Sequence, residues 1–228
     1  MSLAFRRIED HQVPTCEGPR TVTVAIPESP LQHVDVVYCA DGQVVPELAA
    51  ALQQSTQQVA LPCLVGVHSV PQYRAEEYLY GTNEPARYRW HEQFFAMTVR
   101  EYAVSAWGLA KERQRNLLFG FSNGGAFAVA TALRDPLQFA VAIACSVPRM
   151  PDMPVVDSGE GDKPCFYLAA GDLGPEKAIA KHTRRLASWV EKHGLNVDYF
   201  QRSGGHNHDF WTREFTNAMA WFRRAVDR

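Results

Sequence analysis

The chain has little that would send it to a membrane, a nucleic acid or an oxidising compartment. No stretch of its 228 residues is apolar for the about 18 positions that a membrane-spanning helix needs, and MSLAFRRIED at the start holds no apolar core of the secretory-leader kind. Blocks of like charge are missing too. The 23 Lys and Arg nearly balance 25 Asp and Glu, a formal charge of −2, so neither a polyphosphate nor an anionic lipid surface is a natural partner. The five cysteines (Cys16, Cys39, Cys63, Cys145, Cys165) are odd in number, scattered and never C-x-x-C, which argues against a disulfide framework and reads as free thiols in a reducing compartment. No repeat, low-complexity tract or linker divides the chain. These absences predict one cytoplasmic domain over residues 1–228, with no nucleic-acid or membrane partner and a small molecule as its ligand.

What is present is a series of apolar runs of strand length, rich in β-branched and aromatic residues: TVTVAI (21–26), VDVVYC (34–39), LPCLVGV (61–67), NLLFGF (116–121), FAVAIAC (139–145), CFYLAA (165–170) and VDYF (197–200). Helical spacing lies between the later runs. Phe95, Val99, Tyr102 and Ala106 share a face over 91–107, which Gly108 closes, and Ile179, His182, Leu186 and Val190 do the same between Pro175 and Gly194. Further helices are expected after Gly124 and from near Asp209, the latter carrying Phe215, Met219 and Phe222. Strands that are apolar throughout must bury both sides, so the pattern predicts an α/β fold with a mostly parallel central sheet and helices on both faces. The first two runs are expected to pair antiparallel at an edge. Residues 70–92, with four of the eight tyrosines, are expected to line a pocket beside the carboxyl ends of the strands.

The most specific stretch is NLLFGFSNGGAFAVATAL (116–133), where Gly120, Ser122 and Gly124 fit G-x-S-x-G between a strand and a helix. A tight strand-to-helix turn strains the serine backbone and leaves no room for side chains at the flanking positions. No Lys-Ser or Lys-Thr follows the glycines, which excludes a P-loop. A serine hydroxyl needs a base to take its proton and a carboxylate to orient that base, in the chain order Ser, Asp or Glu, His.

With GFSNGG, RAEEY (74–78) after LVGV, and GGH followed by a tryptophan five residues on, the chain resembles the esterase branch of the α/β-hydrolases that contains enterochelin esterase and, more distantly, esterase D. The resemblance covers roughly residues 20–225 and implies the α/β-hydrolase fold and cleavage of a carboxylic ester by a serine nucleophile, with no metal or organic cofactor. It implies Ser122 as nucleophile and His206 as base. One oxyanion donor would be the N–H of Asn123, and another would come from Val67, His68 or Ser69 after LVGV. Arg74 matches the family's arginine and either contacts substrate or pairs with Glu77.

The acid is the open member of the set. Relatives carry a carboxylate at the fourth position of the turn after CFYLAA, and that position is Gly174 in this chain. Asp172, which leaves the strand end directly, is the first choice, with Glu176 the alternative and Asp152 and Asp157 farther candidates. If none reaches His206, a Ser-His dyad remains. Around His206, the pair Gly204 and Gly205 suits a tight turn with free φ, and Asp209 suits a helix N-cap. H-x-H-D is not the spacing of binuclear zinc hydrolases, so no metal is expected. The same machinery would also serve a thioesterase, an acyltransferase or a lactonase. A lost acid would leave a binding protein on a hydrolase fold.

Overall fold

The computed structural model describes residues 4–31, 34–56, 60–82, 84–151, 153 and 163–226. Its strands are β1 Phe5–Val13, β2 Arg20–Pro27, β3 Val36–Ala40, β4 Cys63–Val67, β5 Asn116–Phe121, β6 Val141–Cys145, β7 Cys165–Ala170 and β8 Val197–Gln201. They form one sheet in the order β1-β2-β4-β3-β5-β6-β7-β8. β2 runs antiparallel to both β1 and β4, while every pairing from β4 to β8 is parallel. This is the α/β-hydrolase fold.

Two expectations about the sheet need correction. Seven apolar runs predict seven strands, but an eighth, FRRIEDHQV, precedes them: its side chains are mostly exposed and it pairs only with β2, so nothing demands an apolar pattern. TVTVAI and VDVVYC do not pair with each other. β4 lies between them, and β3 pairs in parallel with β4 and β5. All five β3 residues are buried, which suits the middle of the sheet rather than its rim.

The helices are α1 Val45–Gln54, α2 Arg74–Tyr78, α3 Pro85–Gln93, α4 Arg100–Trp107, α5 Asn123–Arg134, α6 Glu176–Lys192 and α7 His208–Val226, with a π-helical stretch Phe94–Val99 joining α3 to α4. Residues 70–92, expected to line a pocket, hold α2 and most of α3. Alternate strand residues feed two cores. Val36, Tyr38 and Leu118 pack toward α5, α6 and the Phe94–Ala103 stretch, whereas Val37, Cys39, Leu117 and Phe119 pack toward α1 and α7. Phe215, Met219 and Phe222 occupy the second core as expected. Each such buried aliphatic or aromatic side chain contributes about 1.5–3 kcal/mol to the folded state.

The helix faces differ in detail from the expected spacing. After Phe95 and Val99 the buried residue is Ala103, and Ala106 is exposed, because the wider π turn shifts the phase of the face. In α6 Thr183 is buried and His182 exposed. Gly108, at φ 66°, does cap α4, donating its N–H to Val104 O. No helix among the described residues is long and apolar enough to cross a membrane. Since β3 leads into α1 on one face and β5 into α5 on the other, a crevice opens between their carboxyl ends, where open α/β sheets hold ligands.

Candidate active site

Ser122 stands at this crevice, between β5 and α5, with φ 54° and ψ −128°. The turn is as tight as the flanking glycines imply. A Cβ on Gly120 would lie 2.1 Å from Gly124 O, and one on Gly124 would lie 3.1 Å from both Ala40 Cβ and Asp41 Oδ2. Ser122 N–H donates to Cys145 O at the end of β6 (2.9 Å), which ties the turn to the neighbouring strand. Asn123 begins α5, and the N–H groups of a first helical turn have no partner within the helix.

His206 reaches Ser122 from the loop between β8 and α7, with 3.2 Å between Nε2 and Ser122 Oγ. Its Nδ1 lies 2.5 Å from Glu176 Oε1. Glu176 is fully buried at the first position of α6, and its Oε2 accepts the Gly171 N–H at 2.8 Å. Burial by itself would raise the glutamate pKa. Hydrogen bonds from His206, the Gly171 amide and Ser146 outweigh it and hold the carboxyl below its ordinary value.

The structure therefore brings together Ser122, His206 and Glu176, and not Asp172. The Asp172 carboxylate instead accepts the Gly204 N–H at 3.2 Å and clasps the loop that carries His206. The reason lies in the turn: Gly174, at φ 58°, redirects the chain so that Glu176 enters α6 with its longer side chain turned inward. Asp152 and Asp157 lie outside the described residues. Gly204 and Gly205 do not have positive φ. Gly204 is needed for close approach, since a Cβ there would lie 2.2 Å from Phe210 Cδ2, and a Cβ on Gly171 would lie 2.2 Å from Gly204 O.

The loop after LVGV does not offer its amides to the serine. His68 N–H donates to Thr21 O (3.0 Å) and Ser69 N–H to Gln43 Oε1 (3.3 Å). The His68 ring turns to the β1–β2 side, where Nε2 lies 2.6 Å from Thr23 Oγ1, and Thr23 donates to Asp10. Burial lowers the His68 pKa, with a smaller opposing effect from Asp10. Ser69 Oγ donates to Asp41 Oδ1 at 2.8 Å. Arg74 does not pair with Glu77: its Nε and Nη2 each donate to Asp41 at 2.6 Å, while Glu77 takes Arg20.

The element beside the elbow is the turn after β3. Asp41 (φ 59°) opens it, followed by Gly42–Val44. A Cβ on Gly42 would lie 2.1 Å from Gly66 O, so the turn packs flat against β4. The signal was a DG directly after the strand VVYCA. Because β1 carries no apolar pattern, VVYCA lies in only the second apolar run of the sequence although it is the third strand of the sheet.

Trp211 completes the surroundings. It stacks on Phe121 (centroids 4.1 Å apart), meets His206 edge-on (4.9 Å) and donates Nε1–H to Ser146 Oγ (2.9 Å). His208 turns away to Glu47 of α1 (2.7 Å), and the N-terminal cap of α7 is Asn207, whose Oδ1 accepts the Phe210 N–H, rather than Asp209. Among the described residues no group of three or more His, Cys, Asp or Glu forms a candidate metal site.

Known proteins share this fold. An acetyl esterase of Caldicellulosiruptor saccharolyticus is 29% identical over 68 residues, 30% of this chain and 24% of that protein. The enterochelin esterase of Shigella flexneri superposes with a TM-score of 0.76 at 15% identity, covering 99% of this chain and 60% of that one. The S-formylglutathione hydrolase of Staphylococcus aureus gives 0.72 at 14% identity, covering 96% of each. The chain thus spans about a quarter of the acetyl esterase and three fifths of the enterochelin esterase. The family described as "Putative esterase" matches residues 14–166, two thirds of the sequence, and the chain belongs to that esterase family.

Proposed function

We propose that the protein is a serine esterase that cleaves a small carboxylic ester through an acyl-enzyme intermediate. The observation that carries this reading is the line Glu176–His206–Ser122, with separations of 2.5 and 3.2 Å, ending on a strained serine between strand and helix. Ser122 Oγ attacks the ester carbonyl while His206 Nε2 takes its proton. Glu176, held ionised by its donors, fixes the tautomer with a proton on Nδ1 and stabilises the imidazolium. The oxyanion is received by the N–H of Asn123, which follows the nucleophile, and by that of Gln43 in the turn after the third strand, the two positions this elbow uses. His206 then protonates the departing alcohol. A water, deprotonated by His206 in turn, attacks the acyl carbonyl and frees Ser122.

Glu176 beside His206 removes the motive for reading the chain as a hydrolase relic, which was the glycine at position 174. A fluorophosphonate probe and p-nitrophenyl acetate test the proposal. Wild-type protein is expected to be labelled on Ser122 and to turn over the ester, and Ser122→Ala to do neither. Unlabelled Ser122, or hydrolysis that survives Ser122→Ala, refutes it.

A further inference from the structure

Three non-glycine residues among those described have positive φ: Asp41, Ser122 and Ser146. Ser122 is the proposed nucleophile and Asp41 opens the turn after β3. Ser146, directly after β6, has no part in the chemistry so far. At φ 54° its backbone would suit glycine, which adopts this region freely, whereas a residue with a Cβ is strained there. Strain of this kind persists where surrounding contacts demand it, and it gathers at functional sites. The side chain is what glycine would lack.

Ser146 is fully buried, and its N–H donates to Ala169 O in β7 at 2.7 Å. Its hydroxyl lies between two groups of opposite need. Trp211 Nε1–H, which can only donate, points at Ser146 Oγ from 2.9 Å. The ionised Glu176 carboxylate, which can only accept, is the other partner. The hydrogen-bond direction is thereby fixed: indole N–H to serine oxygen, serine O–H to carboxylate. Trp211 also stacks on Phe121, the residue before the nucleophile, and touches the His206 ring.

We propose that Ser146, held by Trp211, is a positioning residue whose hydroxyl fixes the Glu176 carboxylate in the orientation that faces His206. This deepens the serine-esterase reading and rests on it. The titratable groups facing Glu176 are His206, Cys145 from β6 and Tyr199 from β8. Burial raises both the thiol and the phenol, which leaves the His206 imidazole as the basic group facing the carboxylate. A carboxylate that loses one donor is less well compensated and favours a protonated neighbour, so the His206 titration moves upward when the Ser146 hydroxyl is removed.

The test compares Ser146→Ala, which keeps the Cβ and its strain, with Ser146→Gly, which relieves the strain, and with Trp211→Phe, which keeps an aromatic ring but deletes the N–H. Both Ser146 variants are expected to lower kcat for p-nitrophenyl acetate about tenfold, the scale of one hydrogen bond, with KM unchanged and the acid limb of kcat/KM raised by about half a pH unit. Trp211→Phe shifts both in the same direction by less. NMR titration of the His206 imidazole reads the same shift whether or not ester is turned over, so failure of the esterase reading is distinguishable from failure of this one. Wild-type kcat in Ser146→Gly, or an unmoved His206 titration in both Ser146 variants, overturns the proposal.

Discussion

Glu176→Gln is the perturbation that bears most directly on the proposed chemistry. The wild-type carboxylate accepts from Gly171 N–H, from the Ser146 hydroxyl and from His206 Nδ1. A glutamine can place its carbonyl oxygen toward the first two donors, but its NH₂ then faces His206 Nδ1. Nδ1 must become the acceptor, the ring proton moves to Nε2, and the nitrogen facing Ser122 Oγ can no longer take a proton. The expected loss in kcat is on the order of 10⁴-fold, as for a neutralised triad acid, or about 5.4 kcal/mol of transition-state stabilisation. Glutamine fills the same volume without charge, so the protein should stay folded and the thermal midpoint near neutral pH should fall only by what the depressed Glu176 pKa contributes. The assay is p-nitrophenyl acetate hydrolysis from pH 6 to 9, alongside the rate of fluorophosphonate labelling. Asp172→Asn serves as the counterpart. It retains the oxygen that accepts Gly204 N–H and should stay within about threefold of wild type. If Glu176→Gln keeps more than a tenth of the activity, or Asp172→Asn loses as much as Glu176→Gln, the assignment of the acid is wrong.

Other consequences follow from the same contacts. The Glu176 pKa is depressed in the folded state, so its contribution to stability is present above the ordinary value of 4.5 and fades as pH falls through the lower folded value. Thermal midpoints measured downward from pH 6 should therefore fall more steeply for wild type than for Glu176→Gln, and parallel curves would contradict this. Gly204→Ala drives a Cβ into the Phe210 ring and should cost about 1–3 kcal/mol in chemical denaturation together with a fall in kcat, as the His206 loop shifts. Arg74→Ala strips the bidentate partner from the buried Asp41, for which a loss of about 2–3 kcal/mol and a slower ester turnover are expected. An unchanged denaturation midpoint would mean that the pair holds nothing in place.

The elbow was legible in the sequence because its physics is local. A serine forced into a strained turn needs small neighbours on both sides, and GFSNGG states that need within six residues. The apolar runs were legible for a similar reason: strands buried on both faces must be apolar throughout, which is why β2 to β7 could be read and the exposed edge strand β1 could not. His206 was legible through its motif, whose Gly204 serves close approach to Phe210 rather than a positive φ. The turn after β3 was visible as DG, but its place in the sheet depended on counting a strand whose residues do not advertise it.

By itself, then, the sequence determined the mostly parallel α/β architecture, the strained serine turn and the histidine that faces it, features written in short-range sterics, in a short motif or in strand and helix periodicity. Only the tertiary structure decided which carboxylate reaches His206, which acceptors take the amides of His68 and Ser69, and where Arg74 places its charge. Those outcomes depend on the relative placement of loops far apart in the chain. Asp172 and Glu176 are four residues apart and chemically alike. What separates them is that Gly174 turns the backbone, Gly171 packs on Gly204, and Glu176 alone points between Ser146 and His206.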